Sequence, residues 1–260
     1  MRCGYVDLPQ GQVHYRRAGE AGPWVFLFHQ TPLSSRMYEP TLPELGKTCR
    51  AVAFDTPGYG GSAPPAGPTT VNDYATRLLA AIDTFTTAAF AVVGVATGCA
   101  VSLEIARLAG PRVSHAVFSG APLLSPERMA HFRTQLGEPA VTEDGSHLLQ
   151  VWQSRRENWG AVAPLDQVMM AAAETIRVYD RLNWGLLAVT RYDVRAALEA
   201  LTCPVLFISA GFDKLAPENE AAARVVRHSV QKVIPGVPPQ LCWTAPEAYA
   251  REITSFIGAG

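Results

Sequence analysis

The 260-residue sequence has no run of basic residues and no large excess of charge of either sign. Its 22 lysines and arginines stand against 23 aspartates and glutamates, which leaves a formal net charge of −1. Binding to a nucleic-acid backbone or to an anionic bilayer needs a basic surface. We therefore expect neither a nucleic-acid partner nor a membrane partner.

The sequence also lacks the segments that are typical of secretion or membrane insertion. Residues 1–12 contain charged residues, glycine and proline, but not the apolar stretch of a signal peptide. Residues 84–103 carry no charge, yet glycines and threonines interrupt them and their pattern changes midway from β-rich to helix-like. We expect a buried strand that leads into a buried helix, and a cytoplasmic protein.

Metal and nucleotide motifs are missing as well. The sequence contains no H-E-x-x-H and no G-x-x-x-x-G-K, and none of its five cysteines forms a C-x-x-C pair. These cysteines are Cys3, Cys49, Cys99, Cys203 and Cys242. We expect reduced, mostly buried thiols, and neither a metal site nor another cofactor.

The sequence does contain short apolar runs that alternate with helical periodicity. Two β-like segments near the start, at 5–8 and 12–18, precede six more at 24–28, 50–54, 90–93, 113–118, 204–208 and 232–234. Helical patterns include residues 35–45, 71–85 and 97–109. The alternation predicts an α/β protein whose mostly parallel, eight-stranded sheet is covered by helices on both faces.

This alternation stops after residue 122. Residues 124–193 contain three or four helix-like stretches, several aromatic residues and no convincing strand. We therefore predict a helical cap at 124–193, inserted into an α/β core that is formed by residues 1–123 and 194–260.

Five short motifs follow one another along the chain. They read H-Q-T-P at 29–32, D-T-P-G-Y-G-G-S at 55–62, G-V-A-T-G at 94–98, G-F-D-K-L-A-P at 211–217, and I-P-G at 234–236 followed by A-P-E at 245–247. In this order they resemble the motifs of the α/β-hydrolase superfamily, over nearly the whole chain. The resemblance implies a nucleophile on a strand-to-helix turn, an acid at Asp213 and a histidine in the loop after the last strand.

The position of the nucleophile holds Ala96. The tight turn needs small residues two before and two after its apex, and Gly94 and Gly98 fit only when Ala96 is the central residue. Making Thr97 the nucleophile would place larger residues at both crowded positions. We therefore predict a turn of the family's kind without the serine.

The position of the histidine holds Pro239, when the I-P-G and P-E segments are used as anchors. Proline offers no side-chain proton acceptor. Of the three residues of a Ser-His-Asp triad, only Asp213 remains, and acyl-enzyme hydrolysis by a triad has no mechanism without the other two.

Three explanations of this pattern stay open. In the first explanation, Ala96 is an engineered replacement of a native serine, but this leaves Pro239 unexplained. Alternatively, the alignment at Pro239 is wrong, and His228, His147 or His131 serves as the base. Thirdly, the protein does not use the triad; this is the explanation that we favour.

The resemblance also implies an oxyanion hole, formed by the backbone N–H groups of Thr31 and Thr97. Such a hole stabilises an enolate as well as a tetrahedral intermediate. Asp213, without a histidine partner in an apolar pocket, would have a raised pKa and act as a base. The alternative is that Asp213 is a relic that caps the helix near Glu218 or pairs with Lys214.

Residues around this site are expected to form a pocket for a small apolar or aromatic molecule. Its predicted lining is His29, Gln30, Trp152, Trp159, Tyr179 and Trp184. The pair at 155–156, Arg-Arg, is most simply a solvated helix face, and an anionic substrate group is the alternative. We expect a monomer or a homodimer.

Three functions follow from this pattern. The first is a lyase, isomerase or cyclase that acts on a small metabolite through the oxyanion hole and Asp213. The second is a catalytically inactive relative that binds a small molecule. The third is a hydrolase with rearranged catalytic residues, in which Asp213 activates water directly.

Overall fold

Eight strands form one sheet in the computed structural model, which describes residues 1–137 and 139–258. The strands are β1 (Arg2–Leu8), β2 (Gly11–Ala18), β3 (Trp24–Phe28), β4 (Arg50–Phe54), β5 (Phe90–Val95), β6 (Val113–Ser119), β7 (Val205–Ala210) and β8 (Ser229–Ile234). Their order in the sheet is β1-β2-β4-β3-β5-β6-β7-β8. β1 and β2 pair antiparallel, as do β2 and β4, and every other pair is parallel. The predicted fold class is confirmed.

Helices cover both faces of this sheet. They are α1 (Thr41–Leu45), α2 (Val71–Asp83), α3 (Thr97–Ala109), α4 (Pro126–Gln135), α5 (Ser146–Trp159), α6 (Leu165–Arg177), α7 (Trp184–Thr190), α8 (Val194–Glu199), α9 (Ala216–Val225), α10 (Leu241–Thr244) and α11 (Pro246–Gly258). No helix in the described ranges is long and apolar enough to cross a bilayer.

Alternate side chains of the central strands build two apolar cores, one on each face. On β3, Phe26 and Phe28 point into the core that α2, α3, α8 and α9 cover. Val25 and Leu27 point into the opposite core, which α1 and α11 cover. Ala96 belongs to this second core, together with residues of α5 and α6. The site and these two helices therefore share one packed interior.

The sequence pattern predicts one continuous helix at 35–45, and this prediction is wrong. The structure has a 3₁₀ turn at Ser35–Tyr38 and then the short helix α1. Pro40 lies between the two and has no backbone N–H, so it cannot donate the hydrogen bond that would continue one helix through this position. The short helices α8 and α10 have too few residues to show a periodicity and were not predicted.

In the described part of the chain, five helices, α4 to α8, and a 3₁₀ turn at Tyr179–Arg181 lie between β6 and β7, and the first four of these helices fall within 124–193. We use the name cap segment for residues 124–193, whose boundaries remain a prediction from the sequence.

The cap segment is tied to the core at Tyr59, in the glycine-rich turn after β4. The backbone N–H of Gly185, on α7, donates a hydrogen bond to the Tyr59 hydroxyl at 2.7 Å. The Arg181 Nε donates to the carbonyl oxygen of Gly58 at 2.6 Å. A Cβ on Gly185 would lie 2.4 Å from the Thr31 Oγ1, so α7 approaches the 29–32 loop closely.

Asp55 holds three segments together from the start of this same turn. Its Oδ2 accepts hydrogen bonds from His14 Nδ1 at 2.8 Å and from the Gly61 N–H at 2.7 Å, and its Oδ1 accepts one from the Ser35 N–H at 2.6 Å. Burial alone would raise the pKa of this carboxyl, but the His14 hydrogen bond, nearby His29 and the two backbone donors lower it to about 2.

We predict that this low pKa makes Asp55 a source of acid sensitivity. A pKa of about 2, against 3.8 for the free side chain, means that the carboxylate contributes stability above pH 4 that is lost as the pH falls towards 2. The difference in free energy of unfolding between wild type and Asp55→Asn should therefore shrink by about 2 kcal/mol between pH 6 and pH 2. Urea titrations at several pH values measure it. Asp7→Asn, at an exposed carboxylate, is the control; an equal pH dependence of both variants would contradict the prediction.

Candidate active site

Ala96 lies at the apex of the turn that joins β5 to α3. Its backbone has φ 48° and ψ −112°, a conformation that costs a non-glycine residue about 1–3 kcal/mol. Two hydrogen bonds hold the apex: its N–H donates to the Ser119 carbonyl oxygen at 2.9 Å, and its carbonyl accepts from the Cys99 N–H at 2.9 Å. The turn presents the methyl group of Ala96 at the carboxyl end of the sheet.

The flanking glycines have no room for a side chain. A Cβ on Gly94 would lie 2.7 Å from the Cys99 nitrogen, and a Cβ on Gly98 would lie 2.1 Å from the Phe28 carbonyl oxygen. Both neighbours are backbone atoms, which cannot rotate away as a flexible side chain can. The small residues that the sequence places around Ala96 are therefore required by the close approach of α3 to β3 and β5.

Thr31 and Thr97, the expected oxyanion-hole residues, lie side by side. The Thr31 N–H donates a hydrogen bond to the Thr97 Oγ1 at 2.7 Å, and the Thr31 hydroxyl donates to the same oxygen at 3.1 Å. Thr97 is the first residue of α3, where the helix dipole favours negative charge. The Thr97 hydroxyl oxygen thus accepts the hydrogen bond of the Thr31 N–H. A substrate oxygen must displace this hydroxyl before it can accept hydrogen bonds from both the Thr31 and the Thr97 N–H groups.

Ala96 and Asp213 line one small cavity. Its volume is about 20 Å³, enough for one water molecule. The lining residues are Gln30, Val95, Ala96, Ser119, Asp213, Leu215, Gln240, Leu241, Cys242 and Tyr249. Of the sequence-predicted site residues, the structure thus brings Gln30, Ala96 and Asp213 together around one small cavity, while Thr31 and Thr97 are hydrogen-bonded to each other beside Ala96.

Asp213 enters this cavity from the loop after β7. Its Oδ1 accepts a hydrogen bond from the Leu215 N–H at 2.9 Å, which leaves the second carboxyl oxygen without a partner among the described residues. Burial raises the pKa of Asp213, and the Leu215 hydrogen bond offsets part of the rise. The suggested pairing with Lys214 is absent, since Lys214 Nζ donates to the carbonyl oxygen of Glu157 at 2.6 Å.

Gln240 reaches the cavity from the loop after β8, next to the position expected for the histidine. Its backbone is left-handed, with φ 70° and ψ 62°. Its Nε2 donates to the Gln30 Oε1 at 2.8 Å, and its own Oε1 is buried without a partner. Pro239 is buried and does not line the cavity; its carbonyl accepts from Gln167 Nε2 at 3.4 Å.

All six histidines lie outside the cavity. They are His14, beside Asp55; His29; His115 on β6, whose ring packs on Phe256; His131 and His147 in the cap segment; and His228, just before β8. The proposed substitutes His131, His147 and His228 are therefore not brought to Ala96. The strand direction explains the position of His228. This residue precedes β8 and so lies at the amino-terminal ends of the parallel strands, whereas the cavity lies at their carboxyl ends.

His29 is expected in the pocket, but the structure places it behind the loop as a support. It is fully buried, its Nε2 accepts a hydrogen bond from the Thr56 N–H at 2.8 Å, and its Nδ1 donates to the Gln30 carbonyl oxygen at 3.1 Å. Burial lowers its pKa. The neutral ring thus joins the 29–32 loop to the 55–62 turn.

The four cap aromatics are expected in the pocket as well, but none of them lines the cavity. Trp159 is buried in the apolar core and Trp152 packs against it. The Tyr179 hydroxyl donates to the Ala140 carbonyl at 3.3 Å, and the Tyr179 ring lies 5.2 Å from that of His147. Trp184 begins α7. The cavity is instead closed by core residues such as Leu215, Leu241 and Cys242.

The two thiols nearest to the turn are not prepared as nucleophiles. Burial raises the pKa of Cys99 and of Cys242 far above the usual range of a thiol, so both stay protonated at neutral pH. Both behave as small core residues.

Two larger depressions lie at the amino-terminal ends of the parallel strands, opposite to the cavity. They have volumes of about 730 and 290 Å³, and both include Leu201, Thr202 and Cys203, just before β7 begins. Ligands of parallel α/β sheets bind outside the carboxyl ends of the strands. The small cavity at Ala96, and neither of these depressions, is therefore the candidate site.

The sheet order, the turn at Ala96 and the loops that surround it define an α/β-hydrolase architecture. The chain belongs to the alpha/beta hydrolase family, whose model matches residues 21–252. No curated protein was found to match the chain.

Solved structures of similar fold cover almost the whole chain. An enol-lactonase from Burkholderia xenovorans LB400 has a TM-score of 0.81 at 19% identity, over 98% of this chain and 100% of that one. A hydrolase from Pseudomonas aeruginosa PA01 has a TM-score of 0.83 at 22% identity, over 98% of both chains. E-2-(acetamidomethylene)succinate hydrolase has a TM-score of 0.79 at 22% identity, over 99% of both. At these identities the likeness establishes the fold.

We predict that Gly98→Ala destabilises the protein by about 3 kcal/mol, because the new methyl group would overlap the Phe28 carbonyl oxygen. Alanine is the better helix former by about 1 kcal/mol, so a loss of stability reports the overlap and not helix propensity. Chemical denaturation measures the change. Gly67→Ala is the matched control, since nothing lies within 4 Å of its added Cβ; equal stability of both variants would contradict the prediction.

Proposed function

We propose that this protein catalyses a non-hydrolytic proton-transfer reaction, of the lyase, isomerase or cyclase type, on a small apolar or aromatic carbonyl compound. The observation that carries the proposal is that Asp213 shares a cavity with Ala96 in which none of the ten lining residues is a histidine. A carboxylate in that place has no imidazole to orient and is free to act on the substrate itself.

A triad mechanism has no support in this cavity. The apex of the turn carries a methyl group, and the only side chain that enters from the loop after β8 is that of Gln240. An amide has neither the acidity nor the basicity of an imidazole, so it takes no proton from an attacking group. We therefore infer that neither an acyl-enzyme nor its hydrolysis is part of the reaction.

Asp213 is the base in the proposed step. Its free carboxyl oxygen removes a proton from the carbon next to the substrate carbonyl; the electron pair of that C–H bond forms the C=C bond of the enolate, and the π pair of the carbonyl moves onto its oxygen. The enolate oxygen then takes the place of the Thr97 hydroxyl at the Thr31 amide, and the Thr97 amide at the start of α3 donates the second hydrogen bond. The raised pKa of Asp213 strengthens it as a base.

Gln240 supplies a polar contact in this reaction. Its amide is oriented by Gln30, so that its unpaired Oε1 is available to accept a hydrogen bond from a substrate hydroxyl or from protonated Asp213. A buried acceptor without a partner costs about 1–3 kcal/mol, which a donor on the substrate would recover. This favours substrates that carry an enol or hydroxyl hydrogen.

Two other functions have a specific observation in their favour. The Thr31 N–H already donates its hydrogen bond to the Thr97 hydroxyl, as would suit a relative that binds a ligand without turning it over. The cavity holds about one water molecule beside Asp213, as would suit direct activation of water by the carboxylate. Each predicts a different product from the same compounds: none at all, or a hydrolysed ester.

We predict that Asp213→Asn lowers proton transfer about 100-fold or more, because the amide cannot accept the substrate proton. A panel of aromatic β-diketones and β-keto esters is incubated in D₂O, and deuterium incorporation, ring closure and ester cleavage are followed by NMR. Asp166→Asn, at an exposed position of α6, should exchange as the wild type does. Undiminished exchange in Asp213→Asn would overturn the role of Asp213.

The same variant should not unfold the protein. Because burial raises the pKa of Asp213, the folded state favours the protonated form, and this carboxyl destabilises the fold at pH 7 and less so as the pH falls through its pKa. Asp213→Asn should therefore be at least as stable as the wild type at pH 7, with an advantage that shrinks in acid. A lower stability at pH 7 would assign the carboxylate a structural role.

We predict that Ala96→Ser alone creates no serine hydrolase, because no histidine reaches the apex. A fluorophosphonate probe should leave Ala96→Ser unlabelled and should label the double variant with Gln240→His, whose new imidazole enters the cavity. The double variant with Pro239→His is the matched control and should stay unlabelled, since Pro239 does not line the cavity. Labelling of Ala96→Ser alone would reveal a base elsewhere.

A further inference from the structure

Arg155 lies on the inner face of α5. It follows Trp152 by three residues and precedes Trp159 by four, and this spacing puts all three side chains on one side of the helix. Trp159 is 5% exposed, and both tryptophans pack in the core that contains Ala96. Arg156 turns elsewhere, with its Nη1 donating to the Ala163 carbonyl oxygen at 3.2 Å. Both arginines are partly exposed, and of the two only Arg155 has a buried side-chain nitrogen without a hydrogen-bond partner.

The Arg155 side chain has no hydrogen-bond or ion-pair partner among the residues that the structure describes. Its Nε is buried without a hydrogen-bond acceptor, and Arg155 forms no ion pair with any carboxylate in the described part of the chain. Other arginines of the protein are paired, as Arg107 is with Glu104 and Arg16 with Glu39. Burial lowers the pKa of Arg155, but a guanidinium stays charged at neutral pH. Arg155 as a whole is partly exposed, but a buried guanidinium N–H without an acceptor is unfavourable, and an anion that reached it would relieve this cost.

This charge lies on the helix that adjoins the Asp213 loop. Glu157, two residues after Arg155, accepts the Lys214 Nζ through its carbonyl oxygen, and Lys214 directly follows Asp213. On the neighbouring helix α6, the fully buried Gln167 also has an orphan atom, its Oε1, while its Nε2 contacts the loop that carries Gln240. The cap side of the site thus has an unmatched cation beside the elements that hold the proposed base.

We propose that Arg155 is the binding residue for a carboxylate of the substrate, which it holds between Trp152 and Trp159. One carboxylate matches the single guanidinium in charge and in the geometry of its two-pronged donors, whereas a phosphate carries more charge than one arginine neutralises. The flanking tryptophans provide apolar surface for the body of the same molecule. This inference rests on the proposed function, since it takes the Ala96 cavity as the place of the reaction.

The test measures carboxylate binding in the absence of any turnover. Thermal unfolding and isothermal calorimetry are carried out with benzoate, 3-phenylpropanoate and succinate, and with benzamide, 3-phenylpropanamide and phenyl phosphate as comparisons. The wild type should be stabilised by at least one of the three carboxylates and by none of the comparison compounds. Arg155→Met should bind that carboxylate about thirtyfold or more weakly, and Arg155→Lys should lose part of the affinity.

Arg156→Met is the matched control on the same helix and should bind like the wild type. Without ligand, Arg155→Met should be at least as stable as the wild type, because it removes a buried N–H that has no acceptor. A less stable Arg155→Met that binds carboxylates normally would overturn the proposal and make Arg155 structural. Binding of phenyl phosphate alone, or of no carboxylate by the wild type, would also overturn it.

The Asp213→Asn variant separates this inference from the proposed function. It should bind the same carboxylate with the same dependence on Arg155, whatever its effect on deuterium exchange. Carboxylate binding that depends on Arg155, combined with undiminished exchange in Asp213→Asn, would retain the anion site and remove the proposed chemistry. Exchange that depends on Asp213, without carboxylate selectivity, would do the reverse.

Discussion

The contact of Gly98 with the Phe28 carbonyl oxygen is the constraint on which the site depends. It brings the first turn of α3 against the end of β3, where a single methyl group would not fit. Ala96 is thereby forced to the apex of the turn, and Thr97 is placed beside Thr31. In this protein the tight turn is kept, although the residue at its apex, Ala96, has no reactive side-chain atom. The fold therefore specifies where a substrate would sit, but not what happens to it.

Much of the scaffold could be predicted because its signals are local. Buried parallel strands are short apolar runs, and the glycines at 94 and 98 identify the apex without any knowledge of the rest. The side chain that enters from the loop after β8 could not be predicted in the same way. Counting from fixed anchors leads to Pro239, whereas the left-handed backbone of Gln240 turns that neighbouring side chain into the cavity. Loop conformation, and not residue spacing, decides which side chain reaches the site.

The cap segment shows a second limit of the sequence. Its aromatic residues suggest a pocket roof, but periodicity does not say against what a helix face packs, and here Trp159 enters the apolar core while Tyr179 faces His147. In the sequence, Arg155 and its neighbour Arg156 look alike. Only the structure shows that Arg155 has a buried Nε without a hydrogen-bond acceptor. Supporting residues were easier to interpret: His29 and Asp55 keep the loops of the site in place through hydrogen bonds to backbone amides.

The small volume of the cavity has a consequence for kinetics. Space for about one water molecule does not admit any metabolite, so residues that line the cavity must move before a ligand enters. Leu215, Leu241 and Cys242, which close the cavity, belong to the segments that follow β7 and β8, so a displacement of these segments is the motion that would admit a ligand. Association is then gated: the observed binding rate levels off at high ligand concentration, at the rate of opening, and a bound molecule leaves no faster than the same motion allows.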